Sequence, residues 1–331
     1  MDEGCFFKIL LEKMHMSKFI EKTFTFQSKD QREIFVYQWS RNLKKVKGIV
    51  QISHGMAETA SRYRRFAKAL TQAGFIVYAN DHRGHGKSAD SIELQGYLGE
   101  EDGFNLLIQD IAHLTDIIKE KHPEKSIYLF SHSMGSFAAQ KYIMDYPNKI
   151  NGLILAGSNG PQGFALTAGK VVSKLETMIR GRKAKSKLMN QLTFGQYNKN
   201  FEPQTTGSEW LTRDKKELAK YLENPYCGSI FPASFYYEFL DTLQYVEDEK
   251  NFPKIPKDLP IYILSGDQDP VGDFGDGVKK LEQRYKNRGV YDLEMKLYEG
   301  ARHELLNELN REEVTADIIN WLEERVKNNT E

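Results

Sequence analysis

Apolar runs that alternate with helical patterns are the feature that most constrains the fold of this chain. Several runs are nearly all apolar, which is typical of strands buried on both faces of a sheet. Eight strand-like runs are present, at 23–27, 34–39, 48–53, 75–80, 126–130, 152–156, 260–264 and 293–298. Between them, apolar residues recur at helical spacing, as they do over 104–118. The alternation predicts an α/β fold, with a mostly parallel eight-stranded sheet flanked by helices.

The alternation is interrupted once, between about residues 158 and 257. This stretch contains helical patterns, aromatic residues and loop breakers, but no convincing buried strand. We therefore predict one α/β core formed by 21–157 and 258–331, with a helical insertion at 158–257. Residues 1–20 are predicted to be an N-terminal extension, in which the apolar residues of 6–11 fit one side of a short helix.

Charge and cysteine content limit the remaining classes of protein. The 46 basic and 46 acidic residues give a formal net charge of zero, which in itself favours no nucleic-acid partner, and we expect none. The two cysteines, Cys5 and Cys227, are far apart and belong to no metal-spaced cluster. We therefore predict a cytoplasmic protein without a disulfide framework. No apolar run is long enough to cross a bilayer.

The stretch YLFSHSMGSFAAQ, residues 128–140, predicts a strand that turns sharply into a helix at Ser133. A serine at such a turn projects its hydroxyl above the sheet, and its neighbours two positions away must be small. Here those neighbours are Ser131, where glycine is usual, and Gly135. We therefore predict Ser133 as a nucleophile; the alternative interpretation is an ordinary tight turn.

A serine nucleophile needs a base, and the base needs a carboxylate to orient it. His303 follows the last predicted strand in the glycine-containing segment LYEGARHELL, from which it can reach back over the sheet edge. The loop after the preceding strand, in IYILSGDQDPVGD, offers two acids. We favour Asp269, at the bend before a proline, and keep Asp267 as the second choice.

Two backbone amides are predicted to stabilise an oxyanion at this site. Met56 follows a strand in QISHGMAE, and Met134 comes directly after the nucleophile at the start of a helix. Two other histidines, His82 and His85, lie in DHRGHGKS, where no third metal ligand follows at suitable spacing. We interpret that segment as a hydrogen-bonded structural loop, and we expect neither a metal nor an organic cofactor.

Five motifs occur in order along the chain: SHGMAETASRY, ANDHRGHGKS, SHSMGS, GDQDP and LYEGARHELLNE. Together they resemble the α/β-hydrolase superfamily, and within it the serine hydrolases similar to monoacylglycerol lipases and lysophospholipases. The resemblance implies Ser133, Asp269 and His303 as the catalytic triad, with Met56 and Met134 as oxyanion donors. It also implies that the insertion is a cap over an acyl pocket.

The resemblance further implies hydrolysis of carboxylic esters of single-chain lipids through an acyl-enzyme on Ser133. A short-chain carboxylesterase, an aminopeptidase or amidase, and a carbon–carbon bond hydrolase of the same fold stay open as alternatives. A catalytically inactive ligand-binding protein is the alternative from another class.

The cap departs from the family pattern in being long and basic. Seven basic residues face one acidic residue over 170–189. The plainer interpretation of this run is a solvated helix face. The functional hypothesis is peripheral contact of the cap with an anionic membrane.

Overall fold

The computed structural model describes residues 18–43 and 45–328 of the 331-residue chain. Over these residues the chain forms one eight-stranded sheet. Its strands are β1 (Phe19–Gln27), β2 (Glu33–Arg41), β3 (Gly48–Ser53), β4 (Phe75–Asn80), β5 (Ile127–His132), β6 (Gly152–Ala156), β7 (Ile261–Gly266) and β8 (Leu293–Tyr298). The helix predicted at 6–11 lies outside the described residues.

The strands lie in the order β1-β2-β4-β3-β5-β6-β7-β8. β2 pairs antiparallel with both β1 and β4, whereas every other neighbouring pair is parallel. The predicted fold class is confirmed. Because β3 and β5 to β8 all run in the same direction, the loops that follow them emerge at one edge of the sheet.

α-Helices of the described chain follow the strands or fill the insertion. They are α1 (Arg64–Gln72), α2 (Gly103–Lys121), α3 (Met134–Asp145), α4 (Phe164–Arg180), α5 (Lys187–Phe194), α6 (Lys215–Glu223), α7 (Ala233–Glu247), α8 (Asp276–Arg288) and α9 (Arg311–Asn328). None of these helices combines the length and apolar character that a membrane span requires.

Alternation along the central strands divides the core between the two faces of the sheet. In β5, Leu129 belongs to the apolar cluster on the side of α2, α3 and α8. Its neighbours Tyr128 and Phe130 belong to the cluster on the side of α1 and α9, which includes Trp321. Successive side chains of a strand point to opposite faces, so fully apolar strands require helices on both sides.

Helices α4 to α7 lie between β6 and β7, in residues 157–260, which we call the insertion. α4 packs along α7, where Lys170 forms an ion pair with Asp241. Glu238 of α7 accepts a hydrogen bond of 3.0 Å from the backbone N–H of Phe104, in the first turn of α2, and pairs with Arg182. These contacts attach the insertion to the core.

A buried arginine joins the first hairpin to the middle of the fold. Arg83, in the loop after β4, is fully buried. Its guanidinium donates to Asp110 of α2 at 2.8 Å and to Asp30, between β1 and β2, at 2.9 Å. It also donates to the hydroxyl of Ser28 at 2.6 Å. Removal of the arginine would leave a buried carboxylate without its cation.

We expect Arg83→Met to lower the free energy of unfolding by about 3–5 kcal/mol, because one partner of a buried ion pair is lost. Arg64→Met is the matched control: Arg64 pairs with Glu21 on the surface, and its side chain is 61% exposed. The control should change stability much less. Urea denaturation measures both, and equal losses would contradict the role assigned to Arg83.

Candidate active site

Ser133 lies between the end of β5 and the start of α3, in a backbone conformation that L-residues rarely adopt. Its φ is 51° and its ψ is −123°. Gly135 allows α3 to pass close to β3, because a Cβ atom there would lie 2.3 Å from the carbonyl oxygen of Ser53. Ser131, at the position usually occupied by glycine, is buried, and its hydroxyl donates to the carbonyl of Ile154 at 2.7 Å. The hydroxyl that serine adds at position 131 is therefore hydrogen-bonded.

The structure brings His303 and Asp269 to Ser133 from two separate loops. His303 follows β8, and its Nε2 lies 2.8 Å from Oγ of Ser133. Its Nδ1 lies 2.9 Å from Oδ2 of Asp269, in the loop after β7. Asp269 is fully buried, and its other oxygen accepts a hydrogen bond of 2.9 Å from the backbone N–H of Val271. The three side chains thus form a continuous hydrogen-bonded chain.

Asp267, the second choice for the carboxylate, has a different contact. Its Oδ1 accepts a hydrogen bond of 2.8 Å from the backbone N–H of Gly300. It therefore joins the loops after β7 and β8 to each other, and it is Asp269 that contacts the imidazole of His303.

The two predicted oxyanion donors lie in segments that adjoin Ser133. Met134 is the first residue of α3, so its N–H is among those that have no partner within the helix. Met56 belongs to the turn after β3. A Cβ atom on its neighbour Gly55 would lie 3.2 Å from Cβ of Ser133, which places this turn against the serine. The N–H of Gly55 is itself held by Oε1 of Glu58 at 2.6 Å.

A buried ion cluster beside the site was not found by sequence reasoning. Arg62 donates to Glu58 at 2.6 Å and binds both carboxylate oxygens of Glu304, at 2.7 and 2.6 Å. A cavity of about 20 Å³, lined by these residues and His132, has room for about one water molecule. The sequence offers a local signal only for Glu58 and Arg62, which are four residues apart; Glu304 is far from both along the chain.

The two adjacent histidines of the site differ in their pKa. Burial lowers the pKa of His303, but the charge and hydrogen bond of Asp269, with smaller effects of Glu304 and Glu58, raise it above its ordinary value. Burial and the charge of His303 lower the pKa of His132 to about 4. Near neutral pH His132 is therefore uncharged, whereas His303 binds its proton more readily than an ordinary histidine does.

His82 and His85 lie in a buried loop held by hydrogen bonds, as the sequence indicated. The backbone N–H of His82 donates to Nε2 of His54 at 3.0 Å, and its side chain contacts Ser53 and Asn80. The described residues contain no group of three or more ligating side chains able to hold a metal ion.

Taken together, the groups have the geometry required for nucleophilic acyl transfer. The hydroxyl of Ser133 touches the imidazole of His303, the imidazole touches a buried carboxylate, and the first residue of α3 follows Ser133 directly. The N-terminus of α3 adds positive potential at the place where an oxyanion would develop.

Comparison with known proteins agrees with this geometry. A family model described as serine aminopeptidase, S33, matches residues 44–310. The chain is 28% identical to a monoglyceride lipase homolog of Monkeypox virus over 284 residues, which are 85% of this chain and 91% of that protein. It is 27% identical to the monoacylglycerol lipase of Mycolicibacterium smegmatis over 283 residues, covering 83% and 88%.

A solved structure is similar over nearly the whole fold. The crystal structure of a thermostable carboxyl esterase from Bacillus coagulans, in complex with glycerol, matches with a TM-score of 0.85. The sequence identity is 28%, and the match covers 92% of this chain and 99% of the esterase.

We expect Ser133 to react more slowly with a fluorophosphonate probe as the pH falls through the pKa of His303, because only the neutral imidazole accepts a proton. That pKa is raised, so the midpoint should lie above the ordinary value of 6.5. Asp269→Asn removes the largest of the charges that oppose the effect of burial on the pKa of His303. It should move the midpoint to lower pH than in the wild type and slow labelling by at least about 100-fold.

Asp267→Asn is the matched control, since Asp267 contacts a backbone N–H and not the imidazole. Its labelling rate and midpoint should stay close to those of the wild type. Labelling rates measured from about pH 5 to pH 9 span the titration range of a histidine. Equal behaviour of the two asparagine variants would contradict the assignment of Asp269.

Proposed function

The chain belongs to the α/β-hydrolase family described as serine aminopeptidase, S33, and we propose that it is a serine esterase acting on single-chain lipids. The observation that carries the proposal is the hydrogen-bonded chain from Oγ of Ser133 through His303 to Asp269, with distances of 2.8 and 2.9 Å. Monoacylglycerols and lysophospholipids are the proposed substrates.

In the proposed reaction, Oγ of Ser133 attacks the ester carbonyl and His303 takes the hydroxyl proton. The N–H groups of Met56 and Met134 hold the oxyanion, each contributing about 3 kcal/mol to the transition state. His303 then gives the proton to the leaving alcohol, which leaves an acyl group on Ser133. Water attacks this acyl-enzyme while His303 accepts its proton, and the fatty acid departs as the serine is restored.

An apolar wall beside the triad supports an acyl chain as part of the substrate. Phe137 of α3 packs with Leu166 and Leu243 from the insertion, and Val271, two residues after Asp269, packs against the same cluster. The wall therefore combines residues that follow the nucleophile and the acid with residues of α4 and α7. We propose that the acyl chain lies along it and that the insertion acts as a cap.

The description of the matching family favours a second candidate, an aminopeptidase. Such an enzyme must bind the free ammonium group of its substrate. Glu58 and Glu304, whose charges act on His303, are both bound to Arg62. This pairing reduces their ability to bind an ammonium group, so we place the esterase first.

We expect an ester and lipid panel to show that kcat/KM rises with acyl length. Burial of each methylene contributes up to about 0.8 kcal/mol, which corresponds to as much as about fourfold per carbon until the pocket is full. Monoacylglycerols and lysophospholipids should be hydrolysed faster than aminoacyl anilides. Product release by wild type and Ser133→Ala is the measurement.

The panel also separates the alternatives. Faster cleavage of aminoacyl anilides would establish the aminopeptidase in place of the esterase. A flat response from acetate to decanoate esters would identify a short-chain esterase. Activity that persists in Ser133→Ala would exclude the proposed nucleophile, and absence of both activity and fluorophosphonate labelling would favour a ligand-binding protein.

We further propose that the insertion contacts lipid surfaces through an apolar face. The large apolar side chains of α4 and α5 that are more than half exposed are Phe164, Val171, Leu175, Met178, Ile179, Leu188 and Leu192. Two adjacent residues at the end of α4, Met178 and Ile179, are 72% and 82% exposed. Several large exposed apolar side chains on neighbouring helices are typical of an interaction site.

The basic residues of the insertion leave less unpaired positive charge for membrane binding than their number indicates. Lys170 pairs with Asp241, Arg180 with Glu176, and Arg182 with Glu238. Lys185 donates to a backbone carbonyl of the core. We therefore propose that apolar contact provides most of the binding, while the basic residues make it stronger on anionic lipid.

We expect the double variant Met178→Ser, Ile179→Ser to bind phosphatidylcholine vesicles at least about tenfold more weakly, because two side chains no longer enter the membrane. Tyr291→Ser is the control, since Tyr291 is 75% exposed and lies outside the insertion. Vesicle flotation should show tighter binding when anionic lipid is added and weaker binding at high salt. Unchanged flotation with loss of a dimer in the variant would identify a second copy as the partner of this face.

A further inference from the structure

Trp210 of the insertion lies against the imidazole of His303. The two ring centroids are 5.1 Å apart, with an angle of 38° between the rings. The imidazole of His132, from the core, is a second neighbour: its ring centroid is 4.7 Å from that of His303, and the angle between the two rings is 44°. The imidazole of His303 therefore has one aromatic neighbour from each part of the molecule.

Trp210 is itself held by aromatic neighbours within the insertion. Phe194, at the end of α5, stacks on the indole with a centroid distance of 5.9 Å and an angle of 18°. Tyr197 meets it edge-on at 5.1 Å. Because these rings restrict the indole, its contact with His303 is a defined feature of the packing.

Backbone bonds fix the same two segments to each other. The N–H of His303 donates to the carbonyl of Trp210 at 3.4 Å, and the N–H of Glu304 donates to the carbonyl of Leu211 at 2.8 Å. The fully buried Glu308 accepts from the backbone N–H groups of both Arg213 and Arg302, at 2.9 and 3.0 Å. The loop that carries the proposed base is thus paired with residues 210–213 of the insertion.

We infer that Trp210 is a positioning residue for His303: its indole holds the imidazole in register with Ser133 and stabilises the charged form during the reaction. This inference rests on the proposed function, because it requires His303 to act as the base. An aromatic face attracts a cation that lies on it, so the indole favours the imidazolium formed when Ser133 loses its proton. The contact also limits rotation of the imidazole away from Ser133.

Several charged and titratable groups affect the protonation of His303 in addition to Trp210. They are Asp269, Glu304 and Glu58, which favour the imidazolium, and His132, whose ring adjoins that of His303. Trp210 carries no charge. Its replacement therefore tests the ring contact while these other groups stay in place.

The kinetic test compares Trp210→Phe, which keeps an aromatic face, with Trp210→Leu, which does not. For Trp210→Leu we expect kcat to fall by about tenfold with KM within about twofold, because the base is misplaced but the substrate still binds. The ascending limb of the pH profile should move to lower pH, since the imidazolium loses a stabilising neighbour. Trp210→Phe should restore most of kcat and of the pH midpoint.

Tyr237→Leu is the matched control, because Tyr237 is an aromatic residue of the insertion that contacts Lys170 and Lys174. It should leave kcat and the pH midpoint unchanged. Equal profiles for Trp210→Phe and Trp210→Leu, or a shift of the limb to higher pH, would overturn the inference. A change in KM alone would also overturn it, because it would assign Trp210 to substrate binding.

A fluorescence titration tests the contact without any substrate. The chain has three tryptophans, so the difference between wild type and Trp210→Phe isolates the emission of Trp210. A protonated imidazole quenches an indole that it touches, so this emission should fall as His303 gains its proton. His132, with a pKa of about 4, titrates in a different range.

The fall should disappear in the background of His303→Asn. A signal that does not titrate, or one that still titrates without His303, would overturn the inference even if the esterase activity is established. Failure of the ester panel together with a normal titration would instead overturn the proposed function and leave the ring contact intact. The two failures are therefore distinguishable.

Discussion

The site depends on the backbone of Ser133, which is held in a strained conformation from both sides. The N–H of Ser133 donates to the carbonyl of Ala156 in β6 at 2.9 Å, and its own carbonyl accepts from the backbone and the hydroxyl of Ser136 at 2.7 and 2.6 Å. Strain of this kind persists only where the surroundings over-determine it. The hydrogen bond to β6 and the close approach of α3 to β3 at Gly135 supply that restraint. The packing of the core therefore also holds the hydroxyl of Ser133 in its position.

Electrostatics then determine which histidine can act as a base. His303 and His132 are adjacent and both buried, yet their pKa values move in opposite directions. The difference lies in the partners, because the imidazole that Asp269 contacts is that of His303 and not that of His132. Glu58 and Glu304 share one cation in Arg62, so this cluster keeps a negative charge near the site. A buried imidazole without such neighbours would be a weaker base.

Local patterns in the sequence were sufficient to predict the strands, the sharp turn at Ser133 and the loops that bring His303 and Asp269 to it. These features depend on periodicity and on the order of motifs, which a sequence displays directly. The bond between Arg62 and Glu304 joins residues 242 positions apart, and no local sequence pattern predicts it. The contact of Trp210 with His303 was missed for the same reason. The basic run was visible, but its acidic partners lie mostly on α7, so its pairing could not be predicted.

The insertion consists of two parts that are attached to the core in different ways. Residues 210–213 share backbone hydrogen bonds and a buried carboxylate with the loop of His303. α4 and α5 instead turn exposed apolar side chains outward, and α4 is joined mainly to α7. Displacement of the first part would remove the indole and the backbone partners of His303, and displacement of α5 would remove Phe194, which stacks on that indole. Motion of α4, which is joined mainly to α7 and carries the most exposed apolar side chains, is therefore the displacement that leaves these contacts of His303 in place.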